Sequence, residues 1–310
     1  MRSHAEHLLD AVEVSSLELF LAHIRWTQTR RLALGIAPEA LVDELARLRE
    51  TATLADGHSS ARSFIDAAIT LAAAESDRSL ETNLDPTAPL AHTARVYFDH
   101  LLGGRRREAA AAVFDALREG AALVDVYLHV FQRSQQEIGR LWQLGQITVA
   151  QEHFCTAATQ VIISQVQVGI FDSPRKGRTV LGACIAGNMH EVGLRIIVDL
   201  LEINGWDTQY LGANTPIEAI QAAAVVQRPD ILAVSVALPS HLRALRSLIE
   251  AIRAEPQCAQ TKIIVGGLPF NVDLELWRRI GADGNARDAG QAIRLAEELV
   301  FGSARSKETS

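Results

Sequence analysis

The pattern of apolar and polar positions changes once along the chain, near residue 172. From residue 15 to residue 171, apolar residues recur at helical spacing, as Val124, Leu128 and Phe131 do, without the sustained alternation of a strand. Beyond residue 172, short β-branched runs alternate with amphipathic stretches. The first part therefore predicts packed α-helices, and the second part predicts an α/β fold.

Five short runs in the second part have the character of strands, and a predicted helix follows each of them. The runs cover residues 179–186, 208–211, 231–236, 262–265 and 282–285. Successive βα units of this length predict a flavodoxin-like, doubly wound parallel five-stranded sheet. We expect this sheet to be preceded by an all-α cap domain and an N-terminal helical region.

Turn-forming residues divide the chain into four predicted segments. The strongest break lies at Pro86, and a polar stretch near residue 172 marks the change of pattern. We therefore predict an N-terminal helical region at 1–85, a helical cap at 86–172, a sheet domain at 173–302 and a disordered polar tail at 303–310.

Composition limits the class of protein. The chain has 310 residues, of which 48% are apolar, so it can bury several cores. Its formal charge of −7 argues against nucleic-acid binding driven by phosphate neutralisation. Cys155, Cys184 and Cys258 follow no CxxC pattern, which favours a reducing compartment and argues against a zinc ribbon. With neither a signal-like N-terminus nor a long apolar run, we expect a cytoplasmic protein without a membrane role.

A histidine follows the first predicted strand. His190 lies in the run from Asn188 to Gly193, at the strand end where open α/β sheets bind ligands. An imidazole in that place can ligate a metal through one nitrogen, and the side chain of Asn188 is the candidate for orienting it. The ordinary alternative is a surface histidine in a βα loop.

Two further loops at predicted strand ends carry small or polar residues. Ser235 and Ala237 follow the third strand, and Gly266-Gly267 follow the fourth; 41 residues separate Gly193 from Ser235, and 28 separate Ala237 from Gly266. Glycines permit close approach of backbone to a long ligand, and the Ser235 hydroxyl can pair with a buried nitrogen. Ordinary turns and a strand-ending serine are the alternative for each residue alone.

The three loops together resemble the signature of cobalamin-binding domains. The resemblance implies that His190 is the lower ligand of cobalt, and that the cofactor's displaced nucleotide tail passes the glycines and reaches Ser235. Two positions depart from the family pattern: Asn188 is neutral where the family is usually acidic, and Ala237 replaces a larger residue. A neutral Asn188 cannot donate charge toward cobalt through the imidazole.

The helical part carries a second motif. Gly145 predicts the end of one helix, and a capping box at Thr148 predicts the start of the next, so Trp142 closes the first helix while Glu152 and His153 open the second. An ordinary interpretation makes Trp142 a core residue and makes the Glu152–His153 pair a solvated first turn.

The spacing of nine residues between Trp142 and Glu152-His153 is similar to that in the cap of adenosylcobalamin-dependent photoreceptors, which are best known as light-responsive transcription repressors. The resemblance implies that Trp142 and Glu152 contact the upper ligand of adenosylcobalamin, and that His153 ligates cobalt after light breaks the cobalt–carbon bond. It also implies that the cap moves and that the protein forms a homo-oligomer, a dimer or a tetramer, whose size changes with light.

The N-terminal region shows no recognition helix flanked by basic residues, so we do not expect DNA binding. The arrangement also resembles the photocobilins, in which biliverdin lies beside cobalamin. Aromatic and basic side chains are the candidates for a biliverdin contact. They are Trp26, Arg30, Arg31, His92, Tyr97 and His100. The alternative is a helical dimerisation region.

The sequence thus predicts a light-sensing signalling protein that is not an enzyme. One alternative is a corrinoid methyl carrier of a methyltransferase system, but such carriers need an open upper face and generally lack the Trp142 and Glu152-His153 pair. A second alternative is a structural α/β module with a degenerate site. The output is expected to be a change of oligomer or a separate downstream partner.

Overall fold

The computed structural model describes residues 3–53, 59–74, 81–167 and 174–302. The predicted tail at 303–310 and the predicted boundary between residues 172 and 173 lie outside the described residues. None of the helices in the described ranges is both long and apolar enough to cross a membrane.

Four helices form the described part of the N-terminal region, and the first begins with a capping box between Ser3 and Glu6. They are α1 (His4–Glu13), α2 (Leu17–Ala33), α3 (Glu39–Thr53) and α4 (Ser59–Ala73). Phe20, Ile24 and Ile65 are fully buried between them. The same core continues into residues of the sheet domain, so these helices pack directly against that domain.

The cap is helical throughout its described part, as predicted, and one of its segments is a π-helix at Val126–Phe131. Its other helices are α5 (Ala91–Leu102), α6 (Arg106–Arg118), the single turn α7 (Leu123–Asp125), α8 (Gln132–Gln143) and α9 (Val149–Val166). The predicted capping box at the start of α9 is present, with Thr148 and Gln151 each accepting a backbone N–H. The side chains of Tyr97, Tyr127 and Phe131 are buried at the centre of this group.

Five parallel strands in the order β2-β1-β3-β4-β5 confirm the flavodoxin-like, doubly wound sheet. The strands are β1 (Thr179–Cys184), β2 (Asp207–Tyr210), β3 (Ile231–Ser235), β4 (Lys262–Gly266) and β5 (Gly284–Ala286). The intervening helices are α10 (Val192–Ile203), α11 (Ile217–Gln227), α12 (Leu242–Ala254), α13 (Leu268–Val272) and α14 (Leu276–Arg279), and α15 (Ala289–Glu297) follows β5. Each strand lies within three residues of its predicted limits.

Alternation along the strands directs side chains into two different cores. Leu181 and Ala183 belong to the core shared with the N-terminal helices, whereas Val180 and Cys184 belong to the core formed with α10 and α15. Helix α10 also contributes Ile196 to the core of the cap. The cap is therefore packed on the helix that begins two residues after His190.

Candidate functional site

The three predicted loops meet at the carboxyl edge of the sheet. The parallel register places Cys184 beside Ser235, and Ser235 beside Gly266. A groove of about 310 Å³ opens there between the strand ends, the first turns of α10 and helix α8 of the cap. Its lining includes Gly193, Ser235, Gly266, Gly267, Gln132, Gln135 and Gln136.

The three motif glycines have different structural roles. A Cβ built on Gly193 meets nothing within 4 Å, so this position leaves the groove open. Gly267 has a φ of +110°, and a Cβ there would lie 2.0 Å from the carbonyl oxygen of Val236, so the turn itself requires glycine. A Cβ on Gly266 would lie 3.2 Å from a backbone oxygen of Ala286. Of the three glycines, Gly193 therefore leaves the most space for a ligand, whereas the turn alone explains why residue 267 is a glycine.

Asn188 joins two of the loops through its side chain. It is fully buried; its Oδ1 accepts the backbone N–H of His190 at 3.0 Å, and its Nδ2 donates to the Ser235 carbonyl at 2.9 Å. The predicted contact with the imidazole is therefore corrected, because the bond goes to the backbone of His190. A carboxylate could not donate to the Ser235 carbonyl, which gives a physical reason for a neutral amide here.

His190 is exposed at the entry to α10, and the next residue ties this loop to the cap. Glu191 accepts a hydrogen bond from Gln160 of α9 at 2.7 Å and one from the Tyr210 hydroxyl at 2.9 Å. Beneath the loop, burial raises the pKa of Cys184 to about 12, so that thiol stays neutral. Gln160 and Tyr210 were not predicted, because their sequence positions carry no signal of this contact.

On the cap side, Glu152 and His153 occupy the first turn of α9 and interact with each other. His153 Nδ1 lies 2.7 Å from Glu152 Oε2, and the His153 side chain is 74% exposed. Thr156 Oγ1 lies 3.1 Å from Glu152 Oε1 and 3.2 Å from Gln135 Oε1. A polar path therefore leads from Glu152 to Gln135, which lines the groove. Glutamines at 132, 135 and 136 share one helical face, and this spacing is the signal that would have identified them.

Trp142 lies at the end of α8, as predicted, and contacts α2 of the N-terminal region. The guanidinium carbon of Arg30 lies 5.1 Å from the centre of the Trp142 ring, and the rings of Trp26 and Trp142 are 6.1 Å apart. Ala237 is half-buried beyond β3 and is not among the described residues that line the groove.

The six candidate contacts for biliverdin do not form one site. Tyr97 is fully buried in the cap and hydrogen-bonded to Thr159 at 2.7 Å, so it is excluded as a contact. Arg31 pairs with Glu44 at 2.7 Å inside the N-terminal region. Two further candidates lie on α5, the helix that also carries Tyr97: His92 is exposed and His100 is half-buried. Trp26 and Arg30 alone are shown beside Trp142.

Comparison with protein families identifies both domains that border the groove, the sheet domain and the cap. Residues 178–294 match a family described as the B12 binding domain, and residues 93–167 match a second family with the same description. The first match covers β1 to β5, and the second covers the described helices from α5 to α9. These matches confirm the resemblance of the sheet domain and of its helical cap.

Individual relatives divide into two kinds. The HTH-type transcriptional repressor CarA of Myxococcus xanthus is 35% identical over 155 residues, which cover 50% of this chain and 50% of the repressor. Dimethylamine corrinoid protein 1 of Methanosarcina mazei is 21% identical over 202 residues, which cover 64% of this chain and 91% of that protein. The chain therefore matches half the length of the repressor and most of the corrinoid protein.

The monomethylamine corrinoid protein of Methanosarcina barkeri has a similar fold. Its structure superimposes with a TM-score of 0.60 at 19% identity, and the match covers 68% of this chain and 100% of that protein. At this level of identity the likeness shows a shared fold and nothing more.

Proposed function

We propose that this chain, which contains a B12-binding helical cap followed by a B12-binding sheet domain, is a cobalamin-based light sensor and not an enzyme. The observation that carries the proposal is the presence of two groups of candidate cofactor residues, one on the sheet domain and one on the cap that packs against it. An exposed histidine and an open groove lie on the sheet side, and an indole, a carboxylate and a second imidazole lie at neighbouring helix ends on the cap side.

The sheet side fits the lower part of a cobalamin. His190 is exposed and would hold cobalt from below, while the groove beside Gly193 would take the nucleotide tail. The Ser235 hydroxyl lines that groove and would pair with a ring nitrogen of the tail. Asn188 holds the two loops together by their backbones, so the site is formed before a ligand arrives.

The cap side provides the groups for the opposite face. When bound, adenosylcobalamin supplies a cobalt–carbon bond that green light breaks. Trp142 would cover the adenosyl group, Glu152 would accept hydrogen bonds from its hydroxyl groups, and His153 would hold cobalt in the illuminated protein. Because these groups belong to α8 and α9, a change in their contacts is transmitted to the cap, and we propose that the homo-oligomer changes with it.

The test is to purify the chain with adenosylcobalamin in the dark and to record absorption spectra and solution mass before and after green light. We expect a spectral change together with a change of mass. His190→Ala is expected to weaken binding and alter the dark spectrum, whereas Met189→Ala, at an adjacent and 68% exposed position, is not. His153→Ala is expected to alter only the illuminated spectrum. A light-inert holoprotein contradicts the proposal.

A corrinoid methyl carrier is the second candidate function, and the match to 91% of a dimethylamine corrinoid protein favours it. A carrier requires an upper face that partner methyltransferases can reach. It predicts a holoprotein that is inert to light and accepts a methyl group from a methyl-donating partner. Failure to bind any cobalamin would support the structural module instead.

The proposal has a more specific part, in which biliverdin binds beside the cobalamin. Trp26 and Arg30 provide an aromatic surface and a guanidinium group beside the cap, which suit a tetrapyrrole with propionates. Adding biliverdin to the cobalamin-bound protein in the dark is expected to produce far-red absorption. Without that absorption the bilin is removed from the proposal, and the cobalamin sensor stands.

A further inference from the structure

We infer that Arg30 is a positioning residue for Trp142 and thereby sets which upper ligand a bound cobalamin can carry. The inference rests on the proposed function, because it assigns Trp142 to the upper face of the cofactor. It concerns a contact between the N-terminal helices and the cap, made by two residues that lie 112 positions apart in the chain.

Arg30 contacts both the ring and the backbone of Trp142. Its guanidinium carbon lies 5.1 Å from the centre of the Trp142 ring and 5.7 Å from that of Trp26, and the two indoles are tilted by 39°. Its Nη1 donates to the carbonyl of Trp142 at 3.0 Å and to that of Gln143 at 3.4 Å. One side chain therefore restrains the rotation of the indole and the position of the helix end.

An arginine suits this place for two reasons. The last carbonyls of a helix have no partner within the helix and carry partial negative charge, so a cation at the end of α8 is favourable. A guanidinium is also planar, so it can lie against aromatic rings while it donates hydrogen bonds from its edge. A lysine would keep the charge but lose the flat contact surface.

The helix that carries Arg30 is held to the sheet domain independently of the cap. Ser16, at the start of α2, donates to Asp273 beyond β4 at 2.6 Å, and both side chains are buried. Helix α2 also packs on α13. The position of Trp142 is therefore set relative to the sheet domain, which is the part proposed to hold the cofactor.

The experiment compares the affinities for adenosylcobalamin and hydroxocobalamin, measured in the dark. The ratio of the two dissociation constants reports on the upper ligand, and a general loss of stability does not change it. We expect Arg30→Ala to reduce the preference for adenosylcobalamin by about tenfold, the scale of one lost charge-assisted contact. Arg30→Lys and Trp26→Leu are expected to reduce it less.

Two arginine variants serve as matched controls. Arg25→Ala makes the same change at an exposed position of the same helix, and Arg243→Ala removes the ion pair between Glu13 and the sheet domain. Both are expected to keep the wild-type ratio.

The outcomes separate this inference from the proposed function. If the wild-type chain binds neither cobalamin, the proposed function fails. If it binds both without a preference, or if Arg30→Ala keeps the wild-type ratio, the inference is overturned. An equal loss in Arg243→Ala also overturns it, since general docking of the N-terminal helices would then be the cause. Should Arg30→Ala not fold, Arg30→Lys and Trp26→Leu decide the question by the same ratio.

Discussion

The candidate cofactor residues of the sheet domain and those of the cap are held in different ways. On the sheet side, the buried Asn188 joins His190 to Ser235, and all three belong to neighbouring strand ends of one sheet. On the cap side, Trp142 depends on Arg30, which reaches it from a different region of the chain. The group on the sheet domain is therefore complete within one domain, whereas the group on the cap is an assembly of two regions.

The contacts between the cap and the sheet domain combine an apolar surface with a few polar links. Gln160 reaches Glu191, and the Tyr127 hydroxyl donates to the buried Asp199 at 3.0 Å. Burial raises the pKa of Asp199 above its usual range. These links cross from the cap to α10, so they are the contacts that any movement of the cap must keep or exchange.

The largest effect is expected from filling the groove on the sheet side. Gly193→Leu places a side chain where a Cβ meets nothing within 4 Å, so cobalamin affinity should fall by about 100-fold or more, equivalent to about 3 kcal/mol. Thermal stability should not fall, because glycine is the weaker helix former. Gly193→Ala should have an intermediate effect on affinity. Unchanged affinity in the leucine variant would contradict the placement of the tail.

The next effect tests the donor role of Asn188. Asn188→Asp replaces the group that donates to the Ser235 carbonyl with an acceptor, so the free energy of unfolding without cofactor should fall by up to about 3 kcal/mol. Asn214→Asp is the matched control, because Asn214 Oδ1 only accepts, from the Gly187 N–H at 2.7 Å. Denaturant unfolding measures both variants. An equal loss of unfolding free energy in the two variants would show that the hydrogen bond donated by Asn188 does not explain the effect.

The N-terminal region contributes a pH dependence to the stability of the protein. His23 and His7 are stacked at 3.7 Å, and His4 Nδ1 lies 2.9 Å from His23 Nε2. Burial, followed by the neighbouring histidines, lowers the pKa of His23 from 6.5 to about 3. Burial also lowers the pKa of His4, against the opposing effect of Glu44, and Arg31 pairs with that same carboxylate.

The unfolded chain therefore binds protons that the folded region excludes, and stability falls as the pH drops below 6.5 towards 3. Between pH 6.5 and 5, His23 alone should account for a loss of about 2 kcal/mol, measured by denaturant unfolding across that range. His23→Gln should flatten the profile. A profile that keeps its slope in this variant would contradict the assignment.

The smallest effect is expected from removing one hydrogen bond, either between the cap and the sheet domain or inside the cap. Tyr127→Phe removes the hydrogen bond to Asp199, and Tyr97→Phe removes the one to Thr159, so each should lower the free energy of unfolding by about 1 kcal/mol. Only Tyr127→Phe should also speed amide hydrogen exchange in α10, because only that bond crosses to the sheet domain. Equal exchange in the two variants would remove Asp199 as a link.

The sequence by itself determined the type and order of the elements. β-branched runs between turn residues predicted all five strands, and the helices predicted between them indicated that the strands run parallel. Local motifs also placed Trp142 at the end of α8, and the capping box at Thr148 located Glu152 and His153 in the first turn of α9. These features depend on neighbours in the chain, which a linear pattern records.

Only the tertiary structure decided which distant groups meet. Asn188 was expected to orient an imidazole and instead bonds to two backbones, because the register brings Ser235 beside its loop. Tyr97 was a candidate contact for biliverdin and is instead buried in the cap core. The contact of Arg30 with Trp142 arises from tertiary packing of two residues that are 112 positions apart in the chain, and no local propensity encodes such a pairing.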